Sequence, residues 1–101
     1  SAIIAINDMH AFGVYAGARD LGVIIPDDLS VAGIDDIVVT DIAVPPLTTI
    51  KQPIHDIARL SVERIIDRLE GNQLQEAIHR ILPSTLIVRE STSKFTGRPY
   101  H

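Results

Sequence analysis

The chain has no cysteine and no tryptophan, and its aromatic content is only 4%. Without cysteine there is no disulfide framework and no thiol chemistry, a usage that fits a reducing compartment. With so few aromatics, the core has to be built from Ile, Val, Leu and Ala. Positive charge is scarce as well: nine Lys and Arg against thirteen Asp and Glu leave a net charge of −4. A free-standing DNA-binding module is expected to be basic, with Lys and Arg gathered on one face. Here they are scattered, so this chain is not itself a nucleic-acid binder. No apolar run approaches the roughly 20 residues of a membrane span. The apolar start, Ser1 to Ile6, lacks the basic flank and cleavage pattern of a signal peptide.

What is present is a 101-residue chain, 46% hydrophobic, which suits one ordered domain near the lower size limit for a self-sustaining core. Ala2 to Ile6 is a continuous apolar run, the pattern of a parallel strand covered on both faces. A chain that opens on such a strand is expected to be a piece of something longer. Asp8 suits a helix N-cap, the helix is predicted from Met9 to Leu21, and Gly22 ends it. Leu29 to Ile34 reads as a second buried strand, which makes a β-α-β unit with a right-handed parallel crossover.

Beyond an irregular apolar stretch, Ile37 to Val44, two prolines forbid helix and a short strand follows at Thr48 to Ile50. Pro53 suits a first helical turn. From there Ile54, Ile57, Ala58, Val62, Ile65, Ile66 and Leu69 recur at spacings of three and four up to Gly71, the clearest amphipathic helix in the chain. Asn72 to Ala77 reads as polar linker, Ile78 to Leu82 as a short extended piece and Ser84 to Arg89 as a final strand. The polar residues from Ser91 onward read as a loose tail.

Asp35 stands at the carboxyl end of a predicted parallel strand, where ligands bind in open α/β sheets. A carboxylate accepts two hydroxyl hydrogen bonds at once, which suits the vicinal hydroxyls of a sugar or ribose; the plainer reading is that Asp35 caps the following turn. Asn7 ends the first strand and offers both donor and acceptor. Gln52 precedes the segment that leaves the sheet. The histidines at 10, 55, 79 and 101 share no metal-ligand spacing. Ser61 has no glycine-flanked nucleophile elbow around it. The adjacent carboxylates at 27/28 and 35/36 diverge in extended chain and form no acid/base pair. Nothing here argues for an enzyme, a metal or a cofactor.

Four strings occur in order: Ile6-Asn7-Asp8, Val31-Ala32-Gly33-Ile34-Asp35-Asp36, Pro45-Pro46-Leu47-Thr48-Thr49-Ile50-Lys51-Gln52 and Leu86-Ile87-Val88-Arg89-Glu90-Ser91. In this order and spacing the chain, from Ala2 to Ser91, resembles the C-terminal part of a transcriptional regulator of the LacI/GalR family. It departs from that family's usual pattern at Ile34, where most members carry an aromatic.

The resemblance implies an α/β fold: the parallel-sheet C-terminal portion of a periplasmic-binding-protein-like (type I) core, truncated. In such a core two subdomains hold ligand in the cleft between them. Residues 1–52 and 84–91 would belong to the C-terminal subdomain, 53–83 to the N-terminal one, and 92–101 to a polar tail. The implied function is sensing of a sugar or nucleoside-like effector, and dimerisation, within a cytoplasmic regulator that reaches DNA through a helix-turn-helix outside this chain. The alternative is a periplasmic-type sugar-binding module with no DNA role.

The resemblance assigns effector contact to Asn7, Asp35 and Gln52. It assigns the homodimer interface to a second apolar face of the first helix, Ala11, Phe12 and Tyr15, together with Ile42, Ala43 and Val44. The stripe on the helix from Pro53 to Gly71 is expected to drive further self-association of a chain this short.

Overall fold

The computed structural model describes residues 1–71 and 77–97. The order is β1 (Ala2–Ile4), α1 (Asp8–Asp20), β2 (Ser30–Asp35), β3 (Thr48–Lys51), α2 (Ile54–Leu69) and β4 (Thr85–Ile87). The four strands form one sheet in the order β1-β2-β3-β4, with β1, β2 and β3 parallel and β4 antiparallel to β3. By its contacts the chain divides into two compact units: residues 1–52 with 85–101, and residues 53–84.

In the first unit, α1 crosses from β1 back to β2, as the apolar, glycine-punctuated pattern requires. Gly22 takes φ +69° just beyond the helix, a left-handed turn that glycine makes without steric cost. The core is small: Ala5, Ala11, Val31 and Leu47 are buried, with Phe12, Val14, Tyr15, Ile25 and Leu29 packed against them. The sheet-facing residues of α1 are Ala11 and Ala18, and small side chains let the helix approach β2 closely.

This corrects the expected interface face of α1: Ala11, expected on it, is fully buried against the sheet, while Met9 is exposed. Tyr15, half-buried, donates its hydroxyl to the Pro45 carbonyl at 2.7 Å and so ties α1 to the double-proline segment.

Residues 77–84 carry no regular element, in keeping with a short extended piece there. Two further expectations change. Within this chain β1 is not covered on both faces, since Ile3 and Ile4 are exposed, Ile4 to 76%. The segment after β4 is anchored rather than loose. Ser91 is fully buried; its hydroxyl donates to the Val31 carbonyl at 2.6 Å and accepts from the Thr48 amide at 2.8 Å. Ser93 adds bonds to the Ser30 hydroxyl and the Pro26 carbonyl. One serine thus joins the starts of β2 and β3 at the end of the sheet opposite Asp35.

The second unit is built around α2, whose first turn carries Asp56 and whose last carries Arg68, each at the end of the helix dipole that favours its charge. Arg59 bridges Glu63 at 3.0 Å and Asp56 at 3.7 Å along the exposed surface. The predicted linker from Asn72 lies largely outside the described residues, as do the last residues of the tail.

Candidate functional site

The parallel register brings three strand ends together. In β1 and β2 each partner lies 28 positions on (Ala2 with Ser30, Ile4 with Ala32), and Asn7 follows the carboxyl end of β1, just before α1. Asp35 pairs directly with Lys51 of β3, and Gln52 follows. Asn7, Asp35 and Gln52 thus stand at or just past the carboxyl ends of three successive strands, a row of strand ends on one edge of the sheet.

Each of the three has part of its hydrogen-bonding capacity already committed. Asn7, not Asp8, is the N-cap of α1: its backbone is extended and its Oδ1 accepts the His10 amide at 2.9 Å. The His10 ring Nδ1 lies 2.7 Å from the same oxygen. With Oδ1 so engaged, the side chain has its Nδ2 donors left to offer. Gln52 donates from Nε2 to Asp35 Oδ1 at 2.7 Å. Among the described residues, Asp35 Oδ2 has no hydrogen-bond partner. The row therefore presents an acceptor between two amides.

Asp35 and Asp36 sit at φ of 123° and 61°, the only positive values outside glycine among the described residues. Such backbone costs on the order of 1–3 kcal/mol per residue and persists only where its surroundings over-determine it. Here they do. The Asp36 carboxylate accepts from Arg89 Nη2 at 2.8 Å and from the Thr40 hydroxyl at 3.0 Å, and Arg89 also reaches the Leu47 carbonyl at 2.9 Å. The Asp36 amide points to Thr49 Oγ1 at 3.4 Å.

Behind the row lies Asp8, which is fully buried. Its Oδ1 accepts from the Thr49 hydroxyl at 2.6 Å and its Oδ2 from the Ile37 amide at 2.9 Å. Gly33 of β2 makes room for it, since a Cβ there would collide with Asp8 Oδ1 and stand 3.2 Å from Leu47 Cδ2. Sequence reasoning missed Asp8, Thr49 and Arg89 as parts of this site. Asp8 was read as the helix N-cap, a role that Asn7 takes instead.

The residues expected at a subunit interface are divided. Phe12 and Tyr15 are half-buried and meet edge to face, 5.6 Å between ring centroids. Ile42 and Val44 are exposed and Ala43 is partly so. Ala11 has no surface to offer and leaves that set. His10, His55 and His79 are exposed, and His101 lies outside the described residues. The Ser61 hydroxyl bonds back to the Ile57 carbonyl of its own helix. Among the described residues no three His, Cys, Asp or Glu side chains converge to hold a metal ion, and no helix is long and apolar enough to cross a membrane.

Comparison with known proteins defines the class. The periplasmic binding protein-like domain matches residues 1–92. A ribose operon repressor from Halalkalibacterium halodurans is 39% identical over 90 residues, which are 89% of this chain and 27% of that relative. A LacI family transcriptional regulator from Enterococcus faecium, solved with bound ribose, superposes with a TM-score of 0.83 at 35% identity, over 92% of this chain and 34% of that one. The lac repressor dimer bound to operator and an anti-inducer gives 0.80 at 32% identity, over 90% of this chain and 31% of that one. The chain belongs to the periplasmic binding protein-like family, among the LacI-type transcriptional regulators.

The Asp36–Arg89 pair gives the site a pH signature. The Arg89 hydrogen bond holds the Asp36 carboxyl below its usual range, against the opposing effect of burial and with help from Thr40. A depressed folded-state pKa contributes stability that is fully present above the unfolded value, roughly pH 4, and is lost as pH falls through the folded value. The stability gap between the wild type and Asp36→Asn is therefore expected to be full at neutral pH and to narrow below about pH 4. Denaturant unfolding across pH checks this; a gap that stays constant into strong acid contradicts it.

Proposed function

We propose that this chain is the sugar-sensing and dimerising portion of a transcriptional regulator, with Asn7, Asp35 and Gln52 as effector contacts. The observation that carries the reading is the unengaged Asp35 Oδ2 at a strand end, flanked by the Asn7 and Gln52 amides. A sugar with adjacent hydroxyls matches it: one hydroxyl donates to the carboxylate while another accepts from Asn7 Nδ2. The ribose bound to the Enterococcus faecium regulator, and the ribose operon named for the Halalkalibacterium halodurans relative, support a ribose-like ligand.

Because the chain spans only 27% of that relative, the remaining machinery belongs to the complete protein. The units at residues 1–52 with 85–101 and at 53–84 correspond to parts of its two subdomains. DNA is bound by a helix-turn-helix outside this chain, and the regulator works as a cytoplasmic homodimer. Its subunits meet through Phe12 and Tyr15 of α1 and the apolar segment Ile42, Ala43 and Val44, which leads into the double proline.

Two measurements on the complete protein test this. In calorimetric titration with D-ribose and with a ribonucleoside, Asp35→Ala is expected to weaken binding about ten- to hundredfold, since hydrogen bonds to a charged group contribute roughly 1.5–3 kcal/mol. Asn7→Asp keeps an equally good helix cap but replaces the donor by an acceptor, so affinity is expected to fall while thermal stability holds. Wild-type affinity in both variants contradicts the assignment. By light scattering, Phe12→Glu is expected to shift the protein from dimer to monomer; an unchanged mass contradicts the proposed interface.

A further inference from the structure

Asn7, Asp35 and Gln52 come from three separate stretches of chain, and one side chain touches all three. Asp8 follows Asn7 directly. Its Oδ2 holds the amide of Ile37, two residues beyond Asp35, at 2.9 Å. Its Oδ1 holds the hydroxyl of Thr49, three residues before Gln52, at 2.6 Å. We infer that Asp8 is the positioning residue of the candidate site, setting the three strand ends in the one arrangement in which Gln52 reaches Asp35.

This rests on the reading of Asn7, Asp35 and Gln52 as the ligand-contacting row. Three features of the geometry favour it over a role in general stability. The carboxylate is spent on the turn just after Asp35 and on Thr49 of β3, the strand that leads to Gln52. The turn it holds is the one with two successive positive-φ aspartates, and Asp35, whose carboxylate accepts from Gln52, is the first of them. Arg89 and Thr40 hold the Asp36 side chain of that turn, and Asp8 holds the backbone amide that follows it. Thr49 extends the hold, since the oxygen that donates to Asp8 also faces the Asp36 amide at 3.4 Å. Gly33 leaves open the space that the carboxylate fills against the β2 backbone.

An aspartate needs to accept at both oxygens here, and asparagine meets nearly the same demand. Its oxygen accepts from Ile37 while its nitrogen donates to Thr49, whose hydroxyl turns round. Alanine meets neither. The test is amide NMR and hydrogen exchange on the ligand-free protein, with the Gln52 side-chain amide as reporter. Asp35→Ala marks where that signal lies when the Asp35 bond is absent.

In Asp8→Ala the Gln52 signal is expected to move to the Asp35→Ala position and the Ile37 amide to exchange about tenfold faster or more. The Ala5 and Val31 amides, which donate to the Ala32 and Ser91 carbonyls, are expected to stay protected. In Asp8→Asn the Gln52 signal is expected to remain at the wild-type position. A Gln52 signal that is unmoved in Asp8→Ala while Ile37 exchanges freely overturns the inference. If Asp8→Ala does not fold, Thr49→Val decides: it removes one arm isosterically, a displaced Gln52 signal supports the inference and an unmoved one overturns it. No ligand takes part, so a failure here is separate from a failure of the ribose titration.

Discussion

The bonds from Thr49 and Ile37 to the buried Asp8 carboxylate fix how the carboxyl ends of the three parallel strands meet, and much of the remaining architecture is arranged to permit them. A buried carboxylate is costly unless every oxygen finds a donor, and here both do. Gly33 is required because the carboxylate lies against its backbone. Thr49 is required because a strand residue at that point must bring a hydroxyl inward. The left-handed turn at Asp35 and Asp36 directs the Ile37 amide at Asp8 and leaves the Asp35 carboxylate toward Gln52.

The two ends of the sheet are held by different chemistry for different purposes. At the amino end of β2 and β3, Ser91 provides a compact neutral tie between strands. At the carboxyl end the ties are charged: Asp8, and Asp36 with Arg89. Charged hydrogen bonds are roughly twice as strong as neutral ones, which suits an end that holds unfavourable backbone in place. Arg89 lies a few residues after the second unit ends, and Gln52 immediately before it begins. The two aspartates of the turn are therefore each bonded to a residue near one of the two points where the chain passes between units.

Much of the fold was legible because it follows from local pattern. The apolar run from Val31 to Ile34, the helix breaker at Gly22 and the stripe from Ile54 to Leu69 each report their element without reference to the rest of the chain. The face of α1 was harder: with Ala and Gly on several sides, apolar periodicity does not single out the side that is packed, and small size proved the better guide. β1 reads as a strand covered on both faces, and within this chain, which spans 27% of the ribose operon repressor it matches, Ile3 and Ile4 are exposed.

The strand ends of the candidate site were legible from the rule that parallel strands present ligands at their carboxyl termini. Their supports were not. Asp8 bonds to Thr49 across 41 positions and Asp36 to Arg89 across 53, separations on which local periodicity is silent. Asn7 and Asp8 are both good capping residues, so sequence alone did not divide the roles of cap and buried acceptor between them. The crowding above Gly33 was the one signal that pointed to Asp8, and it becomes visible only once β2 lies beneath α1.

A crystal structure of the complete protein with D-ribose bound tests the central claim most directly. The account predicts a ribose hydroxyl within hydrogen-bond distance of Asp35 Oδ2, about 3 Å. A second hydroxyl should lie on Asn7 Nδ2, and Asp8 should still hold Thr49 and Ile37. A sugar bound with no contact to Asp35, or an Asp35 carboxylate engaged only by Gln52 in the occupied protein, would contradict it.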